Sequence, residues 1–441
     1  MEREDEKQGI SGLTRRDFIK TSALTAGLAV LTSCGLTALR ESPAGGPAKA
    51  GSTDVIRVGV IGCGGRGTGA AGDCLASSEN VEIVALGDLF KDRLDGCLKE
   101  LRKGRRASSV KVTDETCFVG FDAYKKVLAV PGVNMVILAT PPHFRPEHLR
   151  AAIEAGKNVF MEKPVAVDPA GIRIVIEASD LAKQKGLGIV AGTQRRHQTE
   201  YIEVMKRIHD GAIGEIVAAQ CYWNQGGLWV NDRQPAWTDM ETQCRNWLYY
   251  TWLSGDHIVE QHVHNLDVVN WALGATPVKC MGMGGRQVRT EPQFGNIFDH
   301  FAIEYEYPNG ARVMSMCRQI EGSANRVGER IVGTKGIASP EDGEITGEKP
   351  YRFEGRGRNP YVQEHTDLIA SIRSGKPLNE GRTVAESTMN AIIGRMSTYT
   401  GRELKWDWAM NASKLRLGPE KYEFGPLPVE EIAVPGKTKL I

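Results

Sequence analysis

A β-rich run, Ile56-Arg57-Val58-Gly59-Val60-Ile61, opens directly into Gly62-Cys63-Gly64-Gly65-Arg66-Gly67, and a helix-compatible stretch, Thr68 to Ala76, follows. Glycine spacing of this kind is weak alone; the order strand, GxGxxG, helix makes it constraining. Gly62 permits a tight turn, Gly64 lets a pyrophosphate approach the backbone, and Gly67 lets the helix pack on the strand. Gly65 and Arg66 complete the loop and are counted as cofactor contacts with them. A phosphate held there meets a helix amino terminus. The chain is thereby predicted to contain a doubly wound parallel sheet.

A second strand, Val81 to Leu86, ends at Gly87-Asp88, about 20 residues past the glycines, where an acid accepts hydrogen bonds from ribose hydroxyls and repels a 2′-phosphate. NAD is therefore expected rather than NADP; the alternative is that Asp88 only caps a turn. Val133 to Thr140 is nearly continuous apolar sequence, as a strand buried on both faces requires, and stops at Pro141-Pro142. A helix over Glu147 to Ala155, capped by Gly156, leads to the strand Asn158 to Met161, which Glu162-Lys163-Pro164 closes. Ligands gather at the carboxyl ends of such strands. Gly62, Asp88, Thr140, Pro141, Glu162 and Lys163 are predicted to line one crevice.

With these pieces placed, the sequence from about Ile56 to about Trp408 resembles the Gfo/Idh/MocA oxidoreductases. The marks are Val60 to Gly67, Ala139-Thr140-Pro141-Pro142, Ala155-Gly156-Lys157, Glu162-Lys163-Pro164, and Glu260-Gln261-His262-Val263-His264-Asn265-Leu266-Asp267. The last matches the family pattern Asp-x-Gly-x-His-x-x-Asp with two departures: Glu260 replaces the Asp, and His262 the Gly. The resemblance implies that Lys163, Glu260 and His264 are catalytic, with Glu260 and His264 at i and i+4 on one helical face. The extra methylene of Glu260 changes its reach. The resemblance also implies a Rossmann domain over 54–193 and a substrate and oligomerisation domain over 194–441. The second is expected to be α+β, with a large, mainly antiparallel sheet, and to support a dimer or tetramer. Alternation in Phe301 to Tyr307 and Ala311 to Met316, with Asn309-Gly310 as the turn, fits independently. Helices are expected over Glu364 to Arg373 and Ala385 to Thr398, with a Pro- and Gly-containing tail from Leu417.

Oxidising an alcohol needs a hydride acceptor, which the cofactor supplies, and a base for the hydroxyl proton. Lys163 beside a cationic nicotinamide suits proton shuttling, and His264, oriented by Glu260, suits a direct base or an orienting donor. Arg195, Arg196 and His197 read either as a sugar-hydroxyl clamp or as a solvated basic run; His262 and Asp267 are counted with them as substrate-binding candidates. His257, His262 and His264 with Glu260 could suggest a metal, but i, i+2 side chains diverge on a helix, and no metal is expected. Of Trp223, Trp229, Trp237, Trp247 and Trp252, one or two are expected in the cleft.

At 441 residues and 41% hydrophobic composition the chain is long enough for two domains. Lys and Arg total 55 against 54 for Asp and Glu, so no global field draws nucleic acid or anionic membrane. Thr14-Arg15-Arg16-Asp17-Phe18-Ile19-Lys20 resembles a twin-arginine export signal, and Leu31-Thr32-Ser33-Cys34-Gly35 a lipobox, with an ordinary cleavage site as the alternative. Residues 1–34 then form the signal peptide, 35–53 a flexible tether, and the lipid at Cys34 the one membrane contact. The nine cysteines contain no CxxC pair, so free thiols are expected.

Export to the periplasm or cell envelope as a lipoprotein removes the protein from any NAD pool, which favours tightly bound cofactor. Two reactions are consistent with that. One is oxidation of a sugar or glycoside hydroxyl, at C3 in a glycoside. The other is NAD-dependent glycoside hydrolysis by transient oxidation, elimination, water addition and re-reduction, as in some relatives. Glu-Lys-Pro favours the first. A non-catalytic sugar-binding lipoprotein would not need the glycines, acid, Lys and His together.

Overall fold

The computed structural model describes residues 54–441; the expected signal, lipobox and tether lie outside them. Six strands, β1 (Ile56–Ile61), β2 (Val81–Asp88), β3 (Cys117–Val119), β4 (Met135–Leu138), β5 (Asn158–Met161) and β6 (Ile189–Ala191), pair in parallel in the order β3-β2-β1-β4-β5-β6. Helices α1 (Gly65–Ser77), α2 (Lys91–Leu101), α3 (Ala123–Ala129), α4 (Arg145–Glu154) and α5 (Pro169–Lys185) lie on its faces. Every residue of β4 is buried, because helices cover the sheet on both sides. The strand order reverses between β1 and β4, and that switch opens a crevice at their carboxyl ends. This is the doubly wound arrangement expected.

The second sheet has nine strands: β7 (Ile216–Gln225), β8 (Lys279–Gly285), β9 (His300–Glu306), β10 (Arg312–Gln319), β11 (Arg326–Gly333), β12 (Gly336–Ser339), β13 (Glu344–Gly347), β14 (Tyr351–Arg352) and β15 (Leu404–Lys405). Its order is β14-β13-β12-β11-β7-β10-β9-β8-β15, antiparallel except for β7 with β10. The β9–β10 hairpin turns at Asn309-Gly310 as predicted, with Gly310 at φ +84° and its N–H on the Tyr307 carbonyl at 2.9 Å. Phe301, Ile303 and Tyr305 point inward with Val313 and Cys317, while Met314 and Met316 point out. The remaining helices are α6 (Thr199–His209), α7 (Asp239–Arg245), α8 (Thr251–Ser254), α9 (His257–Glu260), α10 (Val263–Leu273), α11 (Pro360–Arg373), α12 (Gly381–Thr400) and α13 (Trp406–Asn411).

The carboxyl-terminal half returns to the first sheet. Leu368, Ile369 and Ile372 of α11 join the core cluster of Val58, Val60, Met135 and Ile137. Leu378 O accepts from Ile189 N at 2.8 Å and Glu380 N donates to Ile189 O at 2.9 Å, closing the edge of β6. Helix α12, buried along nearly all its length, shares one core cluster with α5 and the second sheet. Among the described residues no helix is long and apolar enough to cross a membrane.

Candidate cofactor and catalytic site

The turn after β1 is built as the glycines require. Gly62 stands at φ +96°, and a Cβ there would fall 2.5 Å from Thr140 N; one on Gly67 would fall 1.8 Å from Gly62 O. A Cβ on Gly64 or Gly65 would meet nothing within 4 Å, so these two face open space shaped for a ligand. Asp88 accepts from Cys63 N at 2.6 Å and Phe90 N at 2.8 Å, which holds the turn against β2. Burial raises its pKa and those two N–H groups oppose the rise. A cavity of about 470 Å³ opens here, walled by Gly62, Gly64, Gly65, Arg66, Asp88, Thr140 and Pro141, within the ~300–1,000 Å³ of cofactor sites. The residues present fit a dinucleotide. Glu162, 5% exposed, accepts from Arg66 Nε at 2.6 Å, and neither it nor Lys163 is among the residues that wall this cavity.

Lys163, at the end of β5, donates from Nζ to the Glu260 carbonyl at 2.7 Å and to Glu260 Oε1 at 3.0 Å. The carbonyl is available because the helix breaks there. α9 ends at Glu260, and His264 N bonds to Gln261 O instead of reaching back a full turn. Glu260 and His264 therefore do not share one regular helical face. The Glu260 carboxylate is engaged by Lys163 and not by His264 Nδ1, which has no hydrogen-bond partner. The His264 ring instead lies on Trp223, centroids 5.7 Å apart and planes 22° apart, with Nδ1 buried and unpartnered. Burial, then the charges of Lys163 and Arg195, hold its pKa well below 6.5, so the imidazole is neutral.

The other substrate-binding candidates have their polar groups engaged inside the fold. Arg195 pairs with buried Glu329 at 2.6 Å, which also accepts from Asn265 at 2.7 Å. Arg196 grips Asp267 through two nitrogens at 2.8 and 2.9 Å, and Ser387 bonds the same carboxylate at 2.7 Å. His197 contacts Asp367 at 2.7 Å and Glu380 at 3.2 Å. Burial opposes its charge, but those carboxylates outweigh it and lift the pKa to about 9. His262 is fully buried against Ser315 at 2.7 Å. Among the described residues no group of three or more His, Cys, Asp or Glu is placed to hold a metal.

Several site residues carry no local sequence signal. Arg145, fully buried, donates to the Thr140 and Pro164 carbonyls and so ties the ends of β4 and β5 together. Burial lowers its pKa to about 10, against the pull of Glu162 and Glu260. Phe90, Phe121, Tyr124 and Phe144 wall the cavity, and Asn231 and Arg245 reach it from the second half of the chain beside Trp229 and Trp247, two of the five tryptophans considered for the cleft. The eight cysteines among the described residues are free.

Residues 56–192 match the oxidoreductase family model with an NAD-binding Rossmann fold, and residues 201–339 match the GFO/IDH/MocA carboxyl-terminal domain. The chain belongs to the Gfo/Idh/MocA family. Its first domain binds NAD. Among curated members, 2,7-anhydro-N-acetylneuraminate hydratase of Escherichia coli K12 is 29% identical over 252 residues, 56% of this chain. That match covers 62% of the hydratase, less than two thirds of its length. Myo-inositol 2-dehydrogenase of Thermotoga maritima is 23% identical over 73% of this chain and 90% of that protein. The solved scyllo-inositol dehydrogenase of Lactobacillus casei, with NAD(H) and scyllo-inositol bound, shares the fold: TM-score 0.61, 17% identity, covering 80% of this chain and 99% of that one.

Proposed function

We propose that this Gfo/Idh/MocA protein is an NAD-dependent oxidoreductase that oxidises a ring hydroxyl of a sugar, glycoside or cyclic polyol, at C3 in a glycoside. The observation carrying this is the Lys163 ammonium, held from two sides by Glu260 at the end of β5, with neutral His264 close enough to feel its charge. When bound, NAD accepts the hydride from the carbinol carbon. The hydroxyl proton passes to Lys163 Nζ as one of its own passes to Glu260 Oε1, 3.0 Å away. His264 offers its ring to the same hydroxyl as a hydrogen-bond partner, and Trp223 holds the ring in plane.

By the same reading the NAD stays bound between turnovers. The twin-arginine segment carries the folded protein to the periplasm or cell envelope, where Cys34 becomes its lipid anchor and no NAD pool exists. Met281 and Met283 on β8 and Met314 and Met316 on β10 are exposed on one face of the second sheet, flanking Glu304 and Ala302 of β9, and this face supports a dimer or tetramer. Similarity to a hydratase favours, as a second reading, glycoside hydrolysis through oxidation, elimination, water addition and return of the hydride.

The test is to denature purified protein, identify the released nucleotide, and incubate native protein with inositols, free sugars and aryl glycosides. Keto product with reduced cofactor supports the first reading, and aglycone without net reduction the second. Absence of both reactions across these substrates rejects the proposal.

A further inference from the structure

Two segments from the second half of the chain reach over the adenosine end of the nucleotide cavity, the end that Asp88 marks. The first, residues 228–247, brings Trp229, Asn231, Arg245 and Trp247 to the cavity wall. The Arg245 guanidinium lies 3.9 Å from the Phe90 ring centroid and donates to Asp92, in the first turn of α2, at 3.0 and 3.1 Å. Phe90 itself walls the cavity.

The second is the tail segment 417–427. Leu417 N donates to Asp168 Oδ2 at 2.8 Å, and Tyr422 Oη sits 2.7 Å from His143 Nε2. The Phe424 ring packs 6.0 Å from Phe90 and 5.5 Å from Phe121, both walls of the cavity. The tail is then tied to the first segment: Met240 N donates to Gly425 O at 3.2 Å and Gln243 Nε2 to Leu427 O at 2.8 Å. The two segments thus hold each other and grip the Rossmann domain at separate points.

We infer that residues 228–247 and 417–427 form a clasp over the adenosine half of the dinucleotide site, so that NAD leaves only when the Arg245–Asp92 and Phe424 contacts part. This rests on the tight retention proposed above and names the groups that produce it. The glycine loop and Asp88 bind the dinucleotide from the Rossmann side; the clasp adds a barrier on the opposite side. Loosening it acts on the dissociation rate while leaving those Rossmann contacts in place.

Asp92→Asn and Phe424→Ala alter exposed side chains, 59% and 47% accessible, so neither threatens folding. Full-length protein loaded with isotopically labelled NAD is chased with unlabelled NAD, and retained label is read after gel filtration. Each variant is expected to lose label about tenfold faster than wild type, and the double variant faster still. Ile432→Ala, an exposed tail position beyond the clasp, serves as the control and keeps the wild-type rate. Wild-type loss rates in both clasp variants, from a parent that retains its label, overturn the clasp alone. A parent that exchanges within the dead time overturns tight retention, and the clasp with it.

Discussion

Lys163 is anchored twice by one residue, through the Glu260 main-chain carbonyl at 2.7 Å and its carboxylate at 3.0 Å. The pair is largely shielded, its side chains 15% and 12% exposed, so it is held more firmly than a surface ion pair. Replacing Lys163 with Met removes the proposed proton acceptor and is expected to lower turnover by about 10²–10⁴-fold with NAD content unchanged. Glu260→Gln keeps the carbonyl contact and is expected to cost less. Undiminished turnover in Lys163→Met would take the lysine out of the chemistry.

Gly64 and Gly67 stand in one loop and are expected to fail differently. Gly64 has φ −71° and ψ −172°, ordinary for alanine, and open space at its Cβ position. Gly64→Ala should therefore melt like the parent yet purify without nucleotide, because the methyl fills the pyrophosphate's approach. Gly67→Ala drives a methyl to 1.8 Å from Gly62 O, and an overpacked contact of this kind costs about 1–3 kcal/mol. Its melting temperature should fall. Normal NAD content in Gly64→Ala would displace the phosphate from this cradle.

Arg195 supports the fold from inside. Removing it by Arg195→Leu strands Glu329, whose pKa burial already pushes up to about 7 against the pull of Arg195. Losing one partner of a buried pair typically costs about 3–5 kcal/mol. Urea unfolding should show a loss near the low end, because this carboxyl protonates readily. A change in KM with stability intact would place Arg195 at the substrate site.

Buried imidazoles set the acid limit. Burial is the first cause in each case, and it holds His148, His262 and His365 near 3. Below their unfolded value of about 6.5 the unfolded chain takes up protons that the folded chain refuses, so stability falls as pH drops. His197 works oppositely. With its pKa raised to about 9, its contribution is complete below about pH 6.5 and disappears as pH rises through 9. Thermal melts from pH 4 to 9 should peak between those limits; a flat acid side would contradict the burial of these rings.

What the sequence made legible was geometry that only certain residues tolerate. Gly62 at φ +96°, the Gly67 contact and the Asn309-Gly310 hairpin each demand their residue type, so type and spacing revealed them. Charge was a poorer guide, because a basic run does not disclose its partners. Arg195, Arg196 and His197 meet carboxylates 134, 71 and 170 positions away, and only the folded chain brings these together. The i, i+4 spacing of Glu260 and His264 hides a related feature: the helix breaks across Gln261-His262. Tyr422 and Phe424 sit in a tail without periodicity, and nothing local ties them to Phe121.

Leu368, Ile369 and Ile372 fill the same core as Val58 and Val60, from the opposite end of the chain. During synthesis the nucleotide-binding sheet must therefore wait for α11 and for Leu378, leaving β6 with a bare edge until then. A ribosome paused near residue 193 would display a half-covered apolar sheet, a natural foothold for a holdase chaperone.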